Sequence, residues 1–318
     1  MGRTSLDRGP AGVHPGVGFR PSSSSNGVPP TYPARLDGPR GGGGPNPIRI
    51  KIFGIYPCRM SHPSLARRVT TLQPSVTVAL NNRAKALKAS GVDVLGFAAG
   101  EPDFDTPRSI KQAAIDAMLA GETKYMPTMG DMATREAVAR KFAVENAIPG
   151  LTGEHVAIGA GGKHVLFTAI HCLFDPPAPG EAPWEMLLPV PTWVSYAPIC
   201  ELAGGRVVEL ETTPASGFRL DPEQLRRAIN PRSRLLILNS PSNPLGTMYP
   251  EADLRAIARV VHEAREIAPD LVILTDEIYE KIVYAGTPHF SIGSVPEVAE
   301  RTLTLNGMSK AFAMTGWR

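Results

Sequence analysis

A lysine held between an apolar run and a second, mostly apolar stretch can form an imine, because desolvation lowers its pKa and frees its lone pair. Lys310, in Asn306-Gly307-Met308-Ser309-Lys310-Ala311-Phe312, occupies such a place, although a lone lysine is more commonly a solvated surface residue. Gly159-Ala160-Gly161-Gly162-Lys163 precedes a helical pattern, and small residues there let backbone N–H groups and the helix N-terminus approach an anion. It is not a Walker A loop, since His164 stands where Ser or Thr must bind magnesium, and it is not GxGxxG. A flexible turn is the plain alternative. In Asn239-Ser240-Pro241-Ser242-Asn243-Pro244-Leu245-Gly246 the prolines fix the backbone and can aim the Asn243 amide. Asp276-Glu277-Ile278-Tyr279 offers a carboxylate for a helix N-cap or for a cationic ligand atom, with Tyr279 on the same side if a helical turn follows.

The elements that must position these groups alternate. Apolar runs at residues 94–97, 155–158, 185–189, 206–210, 235–239, 271–275 and 302–305 predict strands. Helical patterns fall between them at 110–120, 132–145, 163–174, 222–229 and 251–265, the last with Leu254, Ile257, Val260 and Val261 at helical spacing after Pro250. Such alternation predicts βαβ units and an α/β fold with a mainly parallel sheet. Ligands then bind at the carboxyl ends of the strands, where every group named above falls.

Composition sets the outer limits. The 318 residues carry a net charge of +3, too little for a nucleic-acid footprint. Three scattered cysteines, Cys58, Cys172 and Cys200, form no disulfide framework or tetrahedral metal site, so no metal is expected and a reducing, cytoplasmic setting fits. No run of 18 apolar residues predicts a membrane span. Residues 1–59 differ from the rest: Gly-, Pro- and Ser-rich, they hold eight basic residues against Asp7 and Asp37, so they carry +6 and the remainder −3. A segment of this kind is expected to be disordered. A targeting peptide, a linker, and sequence lying ahead of a start at Met60 are its three readings.

Together these strings resemble the class I/II aminotransferases, pyridoxal-phosphate enzymes of fold type I, and among them the bacterial aspartate aminotransferase subgroup. The resemblance runs from about Pro63 to Arg318 and is most specific at residues 100–107 (Gly-Glu-Pro-Asp-Phe-Asp-Thr-Pro), 239–246, 276–279 and 309–318. It implies a three-layer α/β/α large domain over residues 60–318, with 60–90 a helical arm. By resemblance, Lys310 carries pyridoxal 5'-phosphate as an internal aldimine and moves the proton between substrate Cα and the cofactor. Asp276 pairs with the pyridinium nitrogen, Tyr279 and Asn243 reach the phenolate oxygen, and Trp193 stacks on the ring. Gly161, Gly162, Lys163 and Arg318 hold the phosphate, Arg318 as a bidentate clamp, and Ser309 is a further cofactor-binding residue. Gly100, Trp193 and Asn243 face the substrate, and Tyr125 reaches the phosphate of a neighbouring subunit, which implies a homodimer with shared sites.

Three positions depart from the family's usual residues: Leu245 in place of Thr, Thr134 in place of Leu, and Gly307 without a hydroxyl that some relatives use. The resemblance also implies that the small domain, with the arginine for the substrate α-carboxylate, is missing beyond Arg318. The expected activity is amino transfer between an L-amino acid of aspartate, alanine or aromatic type and a 2-oxo acid. The alternatives are β-lyase or decarboxylase chemistry on the same scaffold, or an inactive truncated fragment. A transcription regulator with such a domain lacks support, since residues 1–59 hold no helix-turn-helix pattern.

Overall fold

A computed structural model describes residues 65–70, 72, 76–96, 100–284 and 286–317. The chain divides into two units, Met1–Ser61 and His62–Arg318, and all described residues lie in the second. Residues 1–59, for which disorder is expected, therefore lie outside the described residues, as do Phe97 and Arg318.

In chain order the elements are α1 (Arg67–Thr70), α2 (Val76–Ala89), α3 (Arg108–Leu119), α4 (Met132–Glu145), α5 (Gly162–Leu173), β1 (Glu185–Val190), α6 (Tyr196–Leu202), β2 (Arg206–Glu211), α7 (Pro222–Ala228), β3 (Ser233–Asn239), α8 (Glu251–Glu263), β4 (Val272–Asp276), α9 (Pro296–Ala299), β5 (Thr302–Leu305) and α10 (Met308–Ala311). The five strands form one parallel sheet in the order β2-β1-β3-β4-β5.

Strand side chains alternate between the two faces, and here both faces are apolar. Met186, Leu188, Leu235, Ile237 and Leu274 point into one core with Leu166 and Ile170 of α5 and Tyr196, Ile199 and Cys200 of α6. Leu187, Leu236, Leu238 and Ile273 point into the other with Leu225 of α7, Leu254, Ile257 and Val261 of α8, and Val298 of α9. Helices thus cover both faces, giving the three-layer α/β/α architecture. Each fully buried Leu or Ile contributes about 1.5–3 kcal/mol relative to exposure.

The chain leaves β1 across one face to reach β2, and crosses the other face from β3 to β4 and β5. The winding direction reverses between β1 and β3, which opens a crevice at their carboxyl ends. Local signals start the helices around it. Asp131 Oδ1 accepts from Thr134 N at 2.9 Å and starts α4. Asp221 Oδ1 does the same for α7, accepting from Glu223 N at 3.1 Å.

Two predicted strands are not strands. Residues 94–96 pair with no strand, and Leu95 is largely exposed. At 155–158, His155 ends a 3-10 turn (Gly153–His155), and the following residues run extended against α4. Ile158 N donates to Met129 O at 3.0 Å and Val156 O accepts from buried Arg135 Nε at 2.8 Å. The apolar character of Val156 is real, since it is buried, but a helix and a loop take up its segment rather than a strand.

Candidate active site

The carboxyl ends of four strands and the start of α5 meet in one place. Asp276, the last residue of β4, is buried, with Oδ2 accepting from Tyr196 Oη at 2.7 Å and Oδ1 from Ile278 N at 3.2 Å. Burial pushes its carboxyl up to about 6, and the hydrogen bonds from Tyr196 and Ile278 oppose that rise. Tyr279 follows in a turn rather than a helix, with Ile282 N donating to its carbonyl at 2.7 Å. Burial, then the charge of Asp276, raises its phenol above the usual value, so it stays protonated. Asn243 Nδ2 donates to Tyr279 Oη at 3.5 Å.

Lys310 lies in α10, the short helix after β5. Its ammonium sits 5.8 Å from the centre of the Tyr279 ring and donates to the carbonyl of Gly100, 210 residues away in sequence. Burial lowers its pKa, against a smaller raising effect from Glu101. This is the direction imine chemistry needs. Ser309 is half-buried beside it, and its carbonyl accepts from Met314 N at 3.1 Å.

Trp193 follows β1. Its ring meets Tyr196 edge-on at 5.3 Å, and Lys163 Nζ lies 4.9 Å from its centre. Gly161 caps α5 with φ +89° and ψ 158°, a conformation open to glycine. Gly162 begins the helix, and a Cβ there would touch Leu305 Cδ2 at 3.5 Å and Ile278 Cδ1 at 3.8 Å, so the helix start abuts the ends of β4 and β5. A chain of interactions therefore runs from Lys163 through Trp193, Tyr196, Asp276 and Tyr279 to Asn243 and Lys310, the step from Asp276 to Tyr279 being electrostatic.

Of the expected site residues, this path brings together Gly100, Gly162, Lys163, Trp193, Asn243, Asp276, Tyr279 and Lys310, with Gly161 and Ser309 adjoining. Tyr125 stands apart, fully exposed. Arg318 lies outside the described residues. A groove of about 640 Å³ runs alongside, between residues 101–106 and 313–317. Thr106 Oγ1 joins its walls, donating to Ala313 O at 2.5 Å and accepting from Trp317 Nε1 at 3.2 Å.

Two residues of the site went unassigned in the sequence. Tyr196 stands three after Trp193, the same spacing that pointed from Asp276 to Tyr279, and it was readable on that ground. Asn239 ends β3 and ties two loops together: Oδ1 accepts from Asn243 N at 2.7 Å while Nδ2 donates to Asp276 O at 2.9 Å. The unusual residues are accommodated. Leu245 lines a 20 Å³ cavity with Phe218 and Tyr249, and Thr134 supplies the capped N–H of α4. A Cβ at Gly307 would come within 2.6 Å of Ile278 Cδ1, so a side chain there requires Ile278 to move.

The sequence pattern of the family described as Aminotransferase class I and II matches residues 92–318. The aspartate/prephenate aminotransferase of Thermus thermophilus is 47% identical over 254 residues, covering 80% of this chain and 62% of that protein. The aspartate aminotransferase of a Bacillus species is 43% identical over 255 residues, covering 80% and 62%. The solved aspartate aminotransferase from Thermus thermophilus with maleate superposes with a TM-score of 0.74 at 47% identity, covering 80% of this chain and 63% of that one. The chain thus spans less than two thirds of the length of these relatives. A family pattern running from Val92 through every element that builds the crevice places the chain in the class I and II aminotransferase family.

Proposed function

We propose that the chain carries the cofactor-binding domain of a pyridoxal-phosphate aminotransferase that moves an amino group between an L-amino acid of aspartate, alanine or aromatic type and a 2-oxo acid. The names of the relatives favour aspartate as donor. The observation that carries the reading is the half-buried Lys310 amine against the Tyr279 ring, on one chain of interactions with the buried Asp276.

The residues present fit the cofactor. The hydrogen-bond partners of Asp276, the Tyr196 hydroxyl and the Ile278 N–H, are neutral, so a protonated ring nitrogen suits this buried carboxyl. When bound, pyridoxal phosphate supplies an electron sink for charge developing at substrate Cα. Asp276 would hold the proton on the ring nitrogen. Tyr279 and Asn243 would donate toward the phenolate oxygen, and the flat face of Trp193 would orient the ring. Gly161, Gly162 and Lys163 would present the N-terminus of α5 to the phosphate, with Arg318 as its proposed clamp and Ser309 as a further cofactor contact. Lys310 Nζ would be the attachment point and then the base for the Cα proton. Its contact with Gly100 O supports a place for the Gly100 backbone near the bound substrate.

Exposed Tyr125, with exposed Met126 and Met129 nearby, suits a second copy of the chain, so the reading includes a homodimer with Tyr125 reaching the partner's phosphate. A cytoplasmic setting accords with the scattered cysteines. Purified chain mixed with pyridoxal phosphate should gain an absorption band above 400 nm, roughly the position of an imine-conjugated ring. Borohydride should then fix the label to Lys310, and K310A should lose both signals. Label on another lysine would overturn the assignment. Product analysis with aspartate and 2-oxoglutarate separates amino transfer from β-elimination or decarboxylation.

A further inference from the structure

Behind the crevice the chain buries a second polar cluster that the reaction does not touch. Glu277, next to Asp276 but directed away from it, is 1% exposed. Its Oε1 pairs with Ser291 Oγ at 2.6 Å and Thr275 Oγ1 at 3.1 Å, and its Oε2 accepts from Asn146 Nδ2 at 3.0 Å. The same Asn146 amide donates to Glu280 Oε2 at 2.7 Å, and Asn146 Oδ1 accepts from Lys141 Nζ at 2.7 Å. Lys141 also pairs with Glu280 Oε1. His289 Nε2 lies 3.8 Å from Glu277 Oε2 and 3.2 Å from Ser240 O. At the rim, Lys281 pairs with Glu145 at 2.6 Å.

Three separate segments therefore converge on residues 275–280: the end of α4, the 289–294 loop and, through Glu277 N to Leu305 O at 2.9 Å, the end of β5. The turn they grip has no helix or strand ladder past Asp276, yet it carries both Asp276 and Tyr279. Generic stability does not account for a buried acidic cluster, since an apolar core of the same shape would serve as well. Metal binding does not account for it either. Glu277, Glu280 and His289 lie close enough to share an ion, but the Lys141 ammonium already occupies Glu280, and Glu277 has three hydrogen-bond partners.

We propose that Glu277 is a positioning residue: its hydrogen bonds to Asn146, Ser291 and Thr275 clamp the 276–280 turn and so set the direction of Asp276 and Tyr279 toward the cofactor. The inference rests on the function proposed above for what it says of the cofactor, while the clamp itself concerns this chain alone. Burial pushes Glu277 up to about 8, which favours the neutral acid at physiological pH, and a protonated carboxyl can donate to Ser291 Oγ as readily as accept from it. Hydrogen-bonding shape rather than charge is then what the clamp needs, and glutamine can supply it.

Two measurements on the 318-residue chain test this. Hydrogen exchange of residues 276–282 without cofactor should be at least about tenfold faster in E277A, the effect of losing even one of its three buried hydrogen bonds, and within about twofold of wild type in E277Q. Affinity for pyridoxal phosphate, followed by fluorescence, should fall about tenfold in E277A, and the pH midpoint of the bound-cofactor absorption should move by about one unit. N146A should move both in the same direction, and serves if E277A does not fold. Unchanged exchange at 276–282 in E277A overturns the clamp. So do unchanged affinity and midpoint in a loosened variant, which would leave Glu277 a merely structural residue. A wild-type chain that takes up no pyridoxal phosphate overturns the proposed function instead, and the exchange measurement still decides the clamp.

Discussion

Tyr196 and Asp276 meet through one hydroxyl, and that contact bears on how the site holds its proton. The bond from Tyr196 opposes the rise that burial imposes on Asp276. Y196F should therefore lift the Asp276 carboxyl above about 6 and weaken cofactor binding at neutral pH, by about 0.5–1.5 kcal/mol for a lost hydrogen bond. Fluorescence titration from pH 6 to 8 reads both effects, and a pH-independent loss would point to packing instead. Glu277 gives a second pH effect, on stability. Its folded value near 8 stands above the ordinary 4.5, so between these the folded chain holds a proton that the unfolded chain has released. Its contribution is full on the acid side and is lost as pH rises through 8. Asp276 behaves likewise over the narrower span from 3.8 to about 6. The lowered His289 opposes both, but only below its ordinary 6.5. Between pH 7 and 9 the urea midpoint of the cofactor-free chain should accordingly fall, and E277Q should flatten that fall.

The strands that carry these residues were legible because parallel strands covered on both faces read as unbroken apolar runs: Glu185–Val190 as EMLLPV and Ser233–Asn239 as SRLLILN. The helices were legible through their period, with Pro250 before α8 the start signal that was read; the Asp131 cap of α4 emerged only in the structure. The failure at 155–158 arose because an apolar run shows burial and not what it is buried against, Val156 lying against α4 beside Arg135, whereas at 94–96 the apolar run is not buried at all, Leu95 being largely exposed. The start of α5 depends on one backbone conformation. G161A would place a side chain at φ +89° and ψ 158°, which costs about 1–3 kcal/mol and tilts the N–H groups facing the proposed phosphate site. Affinity for pyridoxal phosphate should fall more than that for pyridoxal, which lacks the phosphate. Equal losses would remove the phosphate from the start of α5.

The assembly of the crevice was less legible than its parts. Four residue strings pointed separately to strand ends, but the meeting of Gly100 with Lys310 spans 210 residues, and nothing in either string announces the other except resemblance to a known family. The Asn146 link to Glu277 and Glu280 was invisible for the same reason: an asparagine after a helix reads as an ordinary C-terminal residue. Tyr125, fully exposed, is the reverse case, a residue to which the resemblance gives a role that no contact within the described residues supplies. The two apolar clusters share no residue, and the sheet alone separates them. Damage on one side should therefore pass through as arithmetic rather than as cooperation. I170A on one face and I257A on the other should each cost about 2–5 kcal/mol, and the double variant should equal their sum within about 0.5 kcal/mol. A coupling well beyond that would mean that the sheet flexes as a membrane between two pressures instead of standing as a wall, with a loss on either face felt at the strand ends that carry Asp276 and lead to Lys310.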